Sequence, residues 1–130
     1  MHFLFFLGSL IWHIELGGEK LQVEVVTSQE EKNKGLAGRT HLNDHQGMLF
    51  IYSREQPLVF WMKGMKMPIC IAFFDAKKKL INVEEMDIPA KGQPLPLYKS
   101  ETNAKYALEL PSQWFQRHPV EKGESFVIVN

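Results

Sequence analysis

Apolar and polar residues alternate with a period of two along most of this chain, and glycine, proline and charge-rich turns break the alternation repeatedly. That pattern predicts short strands rather than long helices. Leu10, Trp12, Ile14 and Leu16 alternate with Ile11, His13 and Glu15, the mark of a half-buried strand. Gly17-Gly18 suits the positive φ of a tight hairpin turn. The return strand sets Leu21, Val23 and Val25 on one face and Gln22 and Glu24 on the other. Ser28-Gln-Glu-Glu31 then has the form of a capping box, in which the serine accepts from the third helical amide and the glutamate reaches back. Lys32, Lys34 and Gly35 complete a helix of about two turns. From Gly35 to Gly47 the chain is polar and aperiodic, and it carries Arg39, His41 and His45.

The centre of the pattern is Gly47 to Asp75. Gly47-Met-Leu-Phe, Phe60-Trp-Met-Lys63 and Pro68-Ile-Cys-Ile-Ala-Phe-Phe-Asp75 are three apolar runs separated by the polar loops Ser53–Pro57 and Lys63–Pro68. They read as consecutive strands of one small sheet. Ala76 to Lys79 is a hairpin tip, Leu80 to Glu85 a returning strand, and the proline-rich stretch Asp87 to Leu97 an extended loop. Ala104 to Leu110 alternates again, with Tyr106, Leu108 and Leu110 on one face. Ser112 to Arg117 is a single helical turn, and Ser125 to Val129 closes the chain as a strand. About six to eight short strands with one or two short helices give an antiparallel-dominated α+β domain, a rolled sheet or small partly open β-barrel. The strand order does not follow from the pattern.

At 130 residues, with 45% hydrophobic and 23% charged positions, the chain suits a single domain over 1–130 with one core. Fifteen basic and fifteen acidic residues cancel, so no broad basic field is available for nucleic acid, although a local anion site fits. Cys70 is the lone cysteine, so neither an internal disulfide nor a cysteine-based zinc cluster is possible. No apolar run has the ~20 residues of a transmembrane helix. Phe3 to Ile11 is apolar but lacks a preceding Lys or Arg and a following small-residue cleavage pattern. It reads as an extra strand or as an incomplete export signal, which leaves both cytoplasm and cell envelope open.

Taken in order, Gly35-Leu36 with Arg39, Gly47-Met-Leu-Phe50, Phe60-Trp-Met-Lys63, Phe73-Phe-Asp75, Tyr106-Ala-Leu-Glu-Leu110 and the closing Val120-Glu-Lys-Gly-Glu124 resemble the family known as domain of unknown function 192. The resemblance spans roughly Leu21 to Val127 and implies no activity. Family members often carry export signals, which adds weight to residues 1–9 as the remnant of one. The chain departs from the family's usual Asn-Thr at Gly64-Met65 and from its usual Leu-Asp at Ile69-Cys70. If those polar groups form the family's site, it is altered here.

Within these motifs Arg39, Lys63 and Glu109 are the charged members, and Trp61 offers a stacking wall beside Met62. Together they suggest a cleft for a small anion or sugar. The plainer reading is an internal Arg39–Glu109 ion pair tying the long loop to the sheet. Met62, Met65 and Met67 beside Trp61 form a soft thioether set of the kind that favours Cu(I), although methionine is also the usual filler of irregular cores. Cys70, between two isoleucines, reads as a buried inert thiol. His41 and His45 lie in a loop without a nearby helical Glu and make a poor zinc signal. No nucleophile–base set or phosphate-cradling glycine loop is present, so no catalytic residue is assigned. The sequence thus predicts a monomeric, non-catalytic binding or accessory module without a cofactor. Its surface is expected over Trp61–Met67, Arg39 and the loop 87–97, for a small ligand or a protein partner. The alternatives are a Cu(I)-binding protein and an enzyme acting on a small anionic or sugar substrate.

Overall fold

The Gly17-Gly18 turn, with φ of +58° and +82°, folds β1 (Leu10–Leu16) back on β2 (Glu19–Val26) in unbroken antiparallel register. The structure, a computed structural model, describes residues 10–129. Residues 1–9, read above as an export remnant or extra strand, lie outside the described residues. Beyond β2, Ser28 caps α1 (Gln29–Lys34): its Oγ accepts from the Glu31 amide at 3.1 Å, and Glu31 Oε1 accepts from the Ser28 amide at 3.2 Å. Because a helix and a loop intervene, β3 (Gln46–Gln56) comes back parallel to β2, from Gln22↔Gln46 to Val26↔Phe50. The remaining pairings among the named strands are antiparallel.

Four further elements make the rest of the ladder. These are β5 (Ile69–Phe74), β6 (Leu80–Met86), β8 (Ala104–Pro111) and β9 (Val127–Val129), giving the order β6-β5-β8-β3-β2-β1-β9. The small strands β4 (Val59–Phe60) and β7 (Tyr98–Lys99) form a separate ribbon. A single turn, α2 (Trp114–Arg117), follows β8. The fold is therefore α+β around a mixed seven-stranded sheet, which is not closed into a barrel. The C-terminal segment reaches both of its ends, through a bridge from Ser125 to Lys79 and through β9 on β1.

Three expectations are corrected. The central runs are not three neighbouring strands: β8 lies between β3 and β5. Six of the eight β8 residues are buried, so this strand requires cover on both faces and both edges. Ser53 to Gln56 is not a loop, since β3 continues to Gln56 through a register shift against β8 that lets its polar end run on. Trp61 to Lys63 is not strand. Only Val59 and Phe60 pair, with Phe60 wedged between Phe50 and Phe73 at ring separations of 5.0 and 5.9 Å.

Both faces of the sheet are packed. One carries Ile14, Val23, Leu49, Cys70, Leu108, Trp114 and Phe126. The other carries Val26, Met48, Phe50, Ile71, Phe73 and Ala107, covered by Leu36, Leu58 and Met62 from the connecting segments. The candidate site opens on this second face.

Candidate functional site

Strand pairing lines up Glu24, Met48, Glu109 and Ile71 across β2, β3, β8 and β5 in one row. Paired residues share a face, so two glutamates stand one strand apart on an otherwise apolar surface. Both are buried, Glu24 at 2% and Glu109 at 5% exposure, which demands compensation for each. Glu24 has it. The Arg39 guanidinium forks onto both of its oxygens, Nη1 to Oε2 and Nη2 to Oε1, the second at 3.0 Å. The expected Arg39–Glu109 pair is thus corrected: the loop is tied to β2, not β8.

Glu109 has no such compensation. Among the described residues no hydrogen bond or ion pair reaches its carboxyl group, and burial pushes its pKa up to about 8. It lies instead on the wall of a cavity of about 570 Å³. The cavity has aromatic sides, Phe50 and Tyr52 from β3, Phe60 from β4, and Trp61 just beyond. Trp61 is 52% exposed, a large apolar surface left open to solvent. Burial, and then the Glu109 charge, raise the Tyr52 hydroxyl to about 12, so the phenol stays a neutral hydrogen-bonding group.

The cations come from two short segments. The capped helix α1 contributes Lys32 and Lys34, and the 61–65 turn contributes Lys63. Lys32 Nζ stands 3.9 Å above the Tyr52 ring, and Lys63 Nζ lies 5.4 Å from that of Trp61, both cation–π placements. Partial burial lowers the Lys32 pKa. The turn is held to the 35–39 loop by the Gly38 amide, which donates to the Gly64 carbonyl at 3.1 Å. Gly64 adopts φ +75°, a conformation that suits glycine.

Of the residues singled out in the sequence, Trp61, Lys63 and Glu109 meet at this cavity. Met62 is buried in the core beneath, Met65 lines the cavity, and Met67 packs on the same apolar cluster. Arg39 and the loop 87–97 are not among the lining residues. The departure at Gly64-Met65 therefore falls on the cavity wall, whereas Cys70 lies in the opposite core, where its thiol donates to the Pro111 carbonyl at 3.3 Å. The sequence reading missed Tyr52, Lys32 and Lys34. Tyr52 continues the parity of Met48 and Phe50, a signal that was available had β3 been extended past Ile51.

A second charged cluster joins the 43–46 turn to α2. Asp44 accepts from Arg117 Nη2 at 2.6 Å and is 2.7 Å from His118 Nε2, and these partners, His118 first, hold its pKa down. Its carbonyl accepts from Trp114 Nε1 at 2.9 Å. Satisfied in this way, the cluster reads as a clamp on the start of β3. Among the described residues no three His, Cys, Asp or Glu side chains are placed to hold a metal ion, and no helix is long and apolar enough to cross a membrane.

A small mixed-sheet α+β domain with an acid-floored aromatic cavity is the class that fold and site define. More narrowly, the chain matches the DUF192 family, described as an uncharacterized ACR, over residues 12–128, and it belongs to that family. No curated protein matches it. Its fold is similar to that of a Sinorhizobium meliloti 1021 protein provisionally described as a transcription regulator, with a TM-score of 0.84 at 22% identity, covering 94% of this chain and 96% of that one. It is likewise similar to a protein of unknown function from Novosphingobium aromaticivorans DSM 12444, with a TM-score of 0.81 at 21% identity, covering 90% and 84%. At such identities the likeness is one of fold.

Proposed function

We propose that this domain is a non-catalytic binding module that takes a small organic ligand into the cavity beside Glu109. The observation that carries the reading is a buried carboxyl group that finds no hydrogen bond or ion pair among the described residues and faces a cavity of about 570 Å³. Burial penalises the charged carboxylate, and a ligand that hydrogen-bonds the carboxyl group offsets its lost hydration. The volume lies within the ~300–1,000 Å³ range of small-molecule sites, and aromatic walls with a few convergent polar groups are their usual lining. The exposed Trp61 ring offers a stacking surface for a ring-shaped body.

One observation favours a second reading. The raised pKa of Glu109 suits a general acid at neutral pH, so an enzyme acting on a small anionic or sugar substrate is the alternative. Against it, Glu109 is the one carboxylate on the cavity lining among the described residues, and Glu24 is held by Arg39. Acid–base cleavage of a glycosidic bond draws on two carboxyl groups, so binding is the reading the residues support better.

Saturation-transfer NMR against a library of small carboxylates, phosphates, sugars and uncharged aromatics tests this. Ligands that bind the wild type should bind Trp61→Ala about tenfold more weakly, the equivalent of one lost stacking contact. Binders indifferent to both Trp61→Ala and Glu109→Gln, or a library without binders, would overturn the proposal.

A further inference from the structure

We infer that the ligand of this cavity is an organic anion, bound while Glu109 carries its proton. The inference rests on the binding reading above and concerns the charge of what binds.

Among the described residues the cavity is lined by three basic residues, Lys32, Lys34 and Lys63, and by a single acid, Glu109. A cationic ligand would meet the like charges of Lys32 and Lys63, whose ammonium groups stand against the aromatic walls, whereas an anionic one gains from them. An anion that also reached an ionised Glu109 would meet a like charge inside a desolvated cavity, where repulsion is strong. A protonated Glu109 removes the conflict and supplies an O–H donor to the same anion or to its body.

The surroundings of Glu109 hold it in that state. From β3 it is faced by Met48, with Tyr52 further along, and from β5 by Ile71. The row beyond Met48 holds the Glu24–Arg39 pair, a carboxylate already matched by its guanidinium. On its own strand the next charge toward the start of β8 is Lys105, whose Nζ lies 5.8 Å from the Tyr106 ring. Burial is the cause that shifts it, lifting the acid to about 8. A bound anion acts in the same direction. Binding restricted to the protonated protein must weaken about tenfold between pH 6 and pH 9 for such an acid.

Three probes sharing one ring system separate the possibilities: 2-naphthoate, 2-naphthalenemethanol and 2-naphthylmethylammonium, titrated calorimetrically into the full chain at pH 6 and pH 9. At pH 6 the naphthoate should bind at least about tenfold more tightly than the other two, a difference of roughly one close charge contact. Its affinity should fall about tenfold by pH 9 in the wild type. Glu109→Gln, permanently neutral, should keep most of the affinity at pH 9. Tightest binding by the ammonium probe overturns the inference. So does naphthoate binding with the same pH dependence in wild type and Glu109→Gln. Equal binding of alcohol and naphthoate, both weakened in Trp61→Ala, overturns the anion while leaving the cavity as a binding site. Failure of all three probes at millimolar concentration overturns it as well.

Discussion

Cys70 and Glu109 sit on adjacent strands but face opposite cores, and burial acts on each in the same chemical direction by penalising the anion. For Cys70 the result is inertness. The thiol is fully buried, and burial, followed by the Glu85 charge, pushes its pKa up to about 12. Ellman's reagent at pH 8 should find no reactive thiol in the native protein and one equivalent in guanidinium chloride. For Glu109 the result is a pH-dependent penalty. Its folded pKa, about 8, lies above the ordinary value of 4.5, so between these the native state holds the extra proton and stability falls as pH rises. The full stability is present below pH 4.5, and the loss, on the order of a few kcal/mol, is complete above pH 8. Glu109→Gln should therefore melt with the wild type near pH 5 and above it near pH 9. Identical melting at both values would mean that the carboxylate is solvated.

At the scale of elements, the helix α1 and the 35–45 loop do the positioning. The capping box gives the short helix its start, which sets Lys32 and Lys34 at the cavity, and the Arg39–Glu24 pair pins the loop that follows. Arg39→Met removes the guanidinium that forks onto buried Glu24, a cost of about 3–5 kcal/mol in urea unfolding, and the double change Glu24→Met/Arg39→Met should restore most of it. A double variant as unstable as the single one would show that the pair holds more than its own charges. The hairpin, the capping box, the helical turn at α2 and the faces of β2 and β8 were legible because local chemistry and period-two patterning decide them. What patterning does not encode is which strands are neighbours. Glu24 and Glu109 lie on the same face and in the same row, so either could have received Arg39, and only the order β8-β3-β2 puts the loop after α1 beside Glu24. The partner of Arg39 and the membership of Tyr52 and Lys32 in the site both depended on that order.

At the scale of the whole molecule, β3 and β8 pair in the sheet's interior, and Gly47 marks how closely they approach. A Cβ there would stand 2.7 Å from the Glu109 carbonyl oxygen and 2.7 Å from Leu110 Cδ2. Gly47→Ala should cost about 1–3 kcal/mol by overpacking, read from the urea midpoint. Glu109 is buried on the neighbouring strand, where the connecting segments that cover this face leave a cavity over it. A neutral acid on the wall of that cavity, without a partner among the described residues, is what the binding reading rests on. Carbon-13 NMR of the Glu109 side-chain carboxyl group, assigned by its loss in Glu109→Gln and followed from pH 3 to pH 10, tests it most directly. The account predicts a single titration with its midpoint near 8. A midpoint near 4.5, the ordinary glutamate value, would mean that the carboxylate is charged at neutral pH and already satisfied, and would contradict it.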